Sequence, residues 1–451
     1  MSSAGSEGDL SSAQPAKPEG GTVDLVSRAA RVVLAFFLGH GALLTVQTIA
    51  GFFLLRRLSL EAYAQFGLAY GFQVTMGTLM DLGFVSTIIP LVGENRDDRT
   101  LVGRYVRAAK HLRDRTFLLL SPFAILAMFW IMHKHQWGWG VQAALVLSVL
   151  LSLYSSGRLS YFSTPLLLFR RLRELYVPQT LSATARLAAY ILADAIGTLN
   201  SWVAAGLNAI NTSVSAIFIE RKSRHYLKWP ERDDLAADGE VFRCILPAMP
   251  AIIFAAFQAQ ISLFLIGIFG QTSSIAEVAA IGRLNQFFAI LMTFNVVVIE
   301  PHVARLTRER LLKTYLILVA ATAVFCTPIV VWAFVSPSPF IWLLGARYAS
   351  LGNLVGFAVL AGSITHTAQL MWIMNRGRKW LFWSGTILEI VLLLAVQSTY
   401  LALVGIHTTR QAIFFNLVTS FCYVVCHVYV GFLGFLKGPR ELYVKTEGVS
   451  Y

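Results

Sequence analysis

Twelve apolar stretches run almost end to end through this chain, and they constrain its fold more than any motif does. They lie at 32–55, 62–92, 116–132, 139–168, 176–198, 200–220, 243–269, 273–301, 314–335, 350–374, 381–404 and 408–436. A bilayer crossing takes about 20 apolar residues, so each stretch can cross once. Backbone groups in hydrocarbon must be satisfied within their own segment, so helices are expected. The longest connection, near 221–242, is charged and too short to hold a domain. Only 14% of the residues are charged, against roughly 25% in soluble proteins, too few to clothe a water-facing fold of this size. The expected class is an all-α polytopic membrane protein of about twelve transmembrane helices.

A net charge of +13 would suit nucleic acid, but in a membrane chain the position of the positive residues matters more than their sum. Twenty-nine of the 37 Lys and Arg fall on alternate flanks, beginning with Lys17, Arg28 and Arg31 and ending with Lys437, Arg440 and Lys445. The opposite flanks hold only Arg56, Arg57, Lys134, Arg347 and Arg410, while Arg158, Arg186 and Arg283 lie inside stretches. This asymmetry predicts both termini in the cytoplasm and removes nucleic acid as an expected partner. Residues 1–22, rich in Ser, Gly, Ala and Pro, are expected to be a disordered tail, with no signal peptide before the first stretch. A six-helix bundle over 23–225, a cytoplasmic linker over 226–242, a second six-helix bundle over 243–437 and a tail over 438–451 follow. Cys244, Cys326, Cys422 and Cys426 show no metal or disulfide spacing and read as small hydrophobes.

The halves resemble each other. S-L-E-A-Y-A-Q-F-G from Ser59 to Gly67 parallels S-I-A-E-V-A-A-I-G from Ser274 to Gly282, and Pro90 and Pro301 close the two stretches. Six stretches per half give the copies one orientation, hence a repeat axis along the membrane normal. Polar residues follow the same pattern. The third and ninth stretches lack them and are expected to face lipid. The first, second, seventh and eighth carry His40, Gln47, Gln65, Gln73, Asp81, Gln258, Gln260, Arg283, Asn285, Gln286, Asn295 and Glu300. Such residues are expensive in lipid, so they point to a hydrated cavity between the halves. Arg283, with Asn285 and Gln286, is the candidate cation for an anionic substrate, with snorkelling as its plainer reading. Asp81, Asp194 and Glu389 are candidates for ion coupling, each weighed against a helix–helix bond. Arg186 and Asp194 are expected to bond neighbouring helices, Arg158 to snorkel, and Glu300-Pro301 to mark a boundary; His366 is an orphan.

No nucleotide-binding loop, metal spacing or nucleophile elbow occurs; no enzyme activity, metal or cofactor is expected, and ATP hydrolysis is not available. Arg57–Gly67 running to Asp81-Leu82-Gly83, Val278–Leu284, and Leu343-Leu344-Gly345-Ala346-Arg347-Tyr348 resemble patches of bacterial O-antigen and polysaccharide flippases. These belong to the multidrug/oligosaccharidyl-lipid/polysaccharide exporter superfamily. The chain departs from them in its Arg56-Arg57 pair and its few cations at mid-membrane. The resemblance implies two six-helix bundles forming a V around a cavity lined by helices 1, 2, 7 and 8. It implies export of a polyprenyl-diphosphate-linked oligosaccharide across the bacterial inner membrane by alternating access, with membrane lipid, a coupling H+ or Na+, and contacts with a polymerase or glycosyltransferases. A cation-coupled drug or metabolite exporter of the same superfamily is the alternative. A polysaccharide polymerase or ligase fits less well, because the longest base-poor connection, near 336–349, is short.

Overall fold

A computed structural model describes residues 40–92, 98–169, 171–229, 234–304, 306–378, 380 and 382–438. The tail expected over 1–22, the start of the first stretch and nearly all of the tail over 438–451 lie outside these. In its described residues every apolar stretch is largely helical. They form α1 (Ala42–Arg57), α2 (Leu60–Asp81), α3 (Arg99–Lys134), α4 (Trp139–Leu168), α5 (Leu172–Ala195) and α6 (Ser201–Arg224) in the first half. The second half has α7 in three pieces (α7a Leu235–Ile245, α7b Met249–Gln258, α7c Ile261–Phe269) and a segmented α8 (α8a Thr272–Leu284, α8b Gln286–Phe294). It continues with α9 (Arg308–Val335), α10 (Gly352–Gly377), α11 (Trp383–Leu403) and α12 (Thr409–Lys437).

Local chemistry sets the ends. Ser59, Asp98 and Asn200 accept backbone N–H groups in the first turns of α2, α3 and α6, and Thr408 with Gln411 forms a capping box on α12, each cap being worth about 1 kcal/mol. α2 stops where Leu82 and Gly83 turn left-handed, at φ 43° and 83°, and resumes as Val85–Val92 after a 48° bend. Among the described residues, seven helices are long and apolar enough to cross a membrane, or nine if each of two bent pairs counts as one span. The bent pairs are the second and seventh stretches. The described part of the first is only 16 residues, the fifth carries Arg173, Glu174, Arg186 and Asp194, and the eighth is interrupted. A π turn over Asn295–Ile299 follows α8b.

Two expectations change. The third helix begins at Arg99, not 116, so it is not free of polar residues: Arg113 is buried within it. Its outer part does face outward, through Leu118, Leu119, Phe123, Leu126 and Trp130, as α9 does through Leu316, Val324, Phe325 and Val335. The stretch expected as a linker contributes α7a, which packs on α3. Asp234 caps α7a and accepts from Arg104 Nε at 2.6 Å, Glu240 accepts from Tyr105 at 2.5 Å, and His111 meets Asp238 at 2.6 Å. The Arg104 bond and the capping amides hold the Asp234 carboxyl below its usual range.

Arg113 occupies a slot that Gly157 leaves in α4, since a Cβ there would lie 1.4 Å from Arg113 Nη1. Gly157→Ala should therefore destabilise the protein by about 1–3 kcal/mol, the usual penalty of overpacking. A lower thermal midpoint in detergent is expected, and an unchanged midpoint would show that Gly157 is not what makes the room.

The halves share one core at one end and meet at the other only through α7a and α7b, which pack on α2 and α3. One apolar core runs through both near the base-poor face, combining Leu54, Tyr63 and Phe66 with Leu263, Ile275, Ile281 and Tyr348. Toward the base-rich face the core divides. One branch is built on Phe84, Tyr105, Phe162 and Ile219 with α7a residues Ala237 and Val241. The other contains Val303, Leu311, Met374 and Trp380. The result is a V closed at the base-poor face.

Candidate functional site

The seal of the V is built where small residues let α1 and α2 approach α8a and α7c. A Cβ on Gly67 would sit 2.7 Å from that of Ala279, and one on Gly71 would sit 2.6 Å from Leu263 Cδ2. One turn of α8a beyond Ala279, Arg283 crosses to the first half. Its Nε donates to the Tyr63 hydroxyl at 3.1 Å, and its guanidinium lies 5.0 Å from the Tyr70 ring centroid. A Cβ on Gly51 would lie 3.0 Å from Arg283 Nη1, so α1 passes over the head group. Arg283 is 9% exposed, and among the described residues no carboxylate pairs with it. Hydrogen bonding to a phenol and contact with a ring face hold this charge in a desolvated place. Arg283 was expected in an open cavity; it lies instead at the inner edge of the seal, between the halves.

The other expected residues divide. Gln47 lies one helical turn from Gly51 on the same face of α1 and is exposed, below the point where α8a closes on α1. His40 is half-exposed, with its ring 5.3 Å from that of Tyr176. Asn285 is exposed beside Gly362 of α10. Gln286 Oε1 and Asn295 Nδ2 are enclosed with no hydrogen-bond partner among the described residues. Gln260 borders the α2 contact at Gly71. Two glutamines are engaged within their own bundle. Gln73 accepts from Asn208 at 3.1 Å, and Asn208 in turn accepts from Arg186. Gln258 exchanges amide bonds of 3.0 and 2.8 Å with Gln397.

The three ion-coupling candidates also separate. Asp194 pairs with Arg57 at 3.3 Å on the base-poor side, bonding α5 to α1. Asp81 faces Arg113 across 3.7 Å, and the facing atoms, Asp81 Oδ1 and Arg113 Nε, have no hydrogen bond. Glu389, half-buried on α11, has no hydrogen-bond or ion-pair partner among the described residues. Arg186 does bond a neighbouring helix. Arg158 does not merely snorkel, because it pairs with Glu220, which also holds Arg224. Glu300 clasps Arg376 through two bonds and ties α8 to α10.

Sequence reasoning missed Arg113, Asn208, Gln397 and the tyrosines around Arg283. Arg113 sits in the charged run 96–115, which reads as a loop unless the helix is extended back to the Asp98 cap. Tyr63 and Tyr70 are seven apart on α2 and share a face, a signal that a count of polar residue types passes over.

No protein-family model and no curated protein sequence matches the chain. Solved structures do match. The lipid II flippase MurJ in an inward closed conformation aligns with TM-score 0.63 at 13% identity, over 90% of this chain and 89% of its own. An inward-facing multidrug resistance MATE family transporter of the MOP superfamily aligns with TM-score 0.60 at 12% identity, covering 87% and 93%. The Vibrio cholerae MATE transporter VcmN aligns with TM-score 0.56 at 14% identity, covering 92% and 97%. The chain thus has the all-helical fold of multi-pass MATE and MurJ transporters.

Proposed function

We propose that this protein is a flippase moving a polyprenyl-diphosphate-linked oligosaccharide from the cytoplasmic to the periplasmic leaflet of a bacterial inner membrane, for surface polysaccharide synthesis. The observation that carries this reading is the charge balance of the inter-half cleft. Arg283 has no acidic partner, whereas five of the seven described carboxylates on α1, α2, α7 and α8 face a base, and the other two, Glu61 and Glu277, bond neutral groups. Glu61 accepts from Gln65, Asp81 lies beside Arg113, Glu277 accepts from Thr409, and Glu300 holds Arg376. Asp234, Asp238 and Glu240 of the α7a region are bonded to α3. An exporter of organic cations needs a carboxylate free to face the cleft, and Glu277, the half-buried one without a base, is engaged by the Thr409 hydroxyl. This cleft offers an unpaired guanidinium instead, whose planar fork suits a diphosphate.

The V, open toward the base-rich face, supports loading from the leaflet where such lipids are made. Rocking of the bundles then exposes the sugar to the other side while the tail stays in lipid. A diphosphate diester carries about two negative charges, so its outward movement is favoured by roughly 4.6 kcal/mol per 100 mV if uncompensated. Inward H+ or Na+ flow would add to this drive, with the incompletely matched Asp81 and the solitary Glu389 as its candidate carriers. Deletion of the gene should make lipid-linked saccharide accumulate in the cytoplasmic leaflet and reduce surface polysaccharide. Normal lipid-linked saccharide together with reduced dye efflux would replace this reading with the drug exporter.

A further inference from the structure

The five basic residues on the base-poor face run against the charge asymmetry of the rest of the chain, and three of them do one job. α7c ends at Phe269, leaving its last carbonyls without partners in the helix. Lys134, in the last turn of α3, donates to the Ile268 carbonyl. His135 donates through Nε2 to the Gly267 carbonyl at 2.8 Å, while its Nδ1 meets the Thr272 hydroxyl at 3.1 Å. Both donors come from the opposite half. The mirror of this contact occurs at the end of α1. Arg347, just before α10, donates to the carbonyl of Leu58, the residue that closes α1. Arg56 reaches back to the Trp342 carbonyl in the last turn of the short helix Ser338–Leu344 and lies 4.4 Å from the Trp342 ring centroid.

In a six-plus-six repeat, α7 corresponds to α1, and the α9–α10 turn to the α3–α4 turn. We propose that these contacts form a two-fold latch. Each half caps the carboxyl end of the other half's first helix with a base from the turn between its third and fourth helices, and breaking both caps opens the base-poor face. A cation at a helix carboxyl end is favoured by the exposed carbonyls and the helix dipole. The bonds hold only while the halves are closed here, so they bias one conformational state and not the other. The remaining two bases act within their own half, Arg57 on Asp194 and Arg410 beside Phe414.

The latch is independent of what is carried. The test uses the full chain with its four cysteines replaced by alanine and Gln47→Cys as the cleft probe, labelled by a membrane-impermeant maleimide in intact cells and in inverted vesicles. Without latch substitutions, labelling is expected mainly in inverted vesicles; the reverse pattern would mean that the proposed orientation, not the latch, is wrong. Lys134→Gln with Arg347→Gln is expected to raise labelling in intact cells at least about fivefold, with Lys134→Arg and Arg347→Lys each staying near the starting level. Arg57→Gln should leave it unchanged. Retained labelling in inverted vesicles shows that the protein is folded. Unchanged labelling in intact cells for the double variant, or an equal rise for Arg57→Gln, overturns the latch.

Discussion

Gly67→Ala is expected to cut transport at least about fivefold, and Ala279→Gly in the same chain is expected to restore most of it. The methyl added at Gly67 would sit 2.7 Å from the Ala279 methyl, closer than two carbons can approach without repulsion. α2 and α8a press together in the closed base-poor face, so the clash penalises this state, and rocking of the bundles as proposed would relieve it. An overpacked contact costs about 1–3 kcal/mol, which shifts a two-state balance by about 5- to 150-fold. Ala279→Gly removes the opposing atom and should return the balance. Transport assayed in vesicles, with maleimide access to Gln47→Cys as the conformational readout, tests both halves of the expectation. Failure of Ala279→Gly to rescue, at normal membrane levels, would show that Gly67 acts through something other than this contact.

The fold was written in the sequence at the level of whole segments, because lipid makes apolar length and backbone satisfaction almost sufficient. α4 occupies the same 139–168 expected of it, since Gly138 and Phe169 bound a run with no charge but Arg158. Interruptions were less legible. The breaks in α7 and α8 fall at Leu246–Ala248, Gln260 and Asn285. Pro247 and Pro250 start the pieces around the first, a signal that segment-level hydropathy passes over, and a single polar residue at each of the others does not announce a break. At the site, counting polar residues singled out helices but could not give the partners of their side chains. Gln73 and Gln258 scored like Gln47, yet Asn208 and Gln397 claim them, and a pairing across 135 or more residues leaves no local trace. Arg56, Lys134 and Arg347 were noticed as exceptions to the charge asymmetry. Their purpose emerged only when the carbonyls they reach were located.

Arg283→Ala is expected to abolish glycan export, more than tenfold, while the protein still reaches the membrane. The side chain joins α8a to α2 through the Tyr63 hydroxyl and the Tyr70 ring and passes beside Gly51 of α1, so its loss removes both an interface contact and the cleft's unmatched positive charge. These roles separate in a binding measurement on purified protein. A polyprenyl diphosphate should raise the thermal midpoint of the unsubstituted protein and leave that of Arg283→Ala unmoved. If the residue only holds the seal, the substituted protein melts lower but still responds to the lipid. Tyr63→Phe removes the phenolic partner while leaving the guanidinium in place, and should keep the lipid response with weaker closure. Arg283→Lys keeps a charge but loses the fork and the flat face that meets Tyr70, so export near the unsubstituted level would mean that charge alone is recognised. Unchanged surface polysaccharide in Arg283→Ala cells at normal expression would remove Arg283 from the site, and with it the main electrostatic argument for an anionic lipid over a cationic drug.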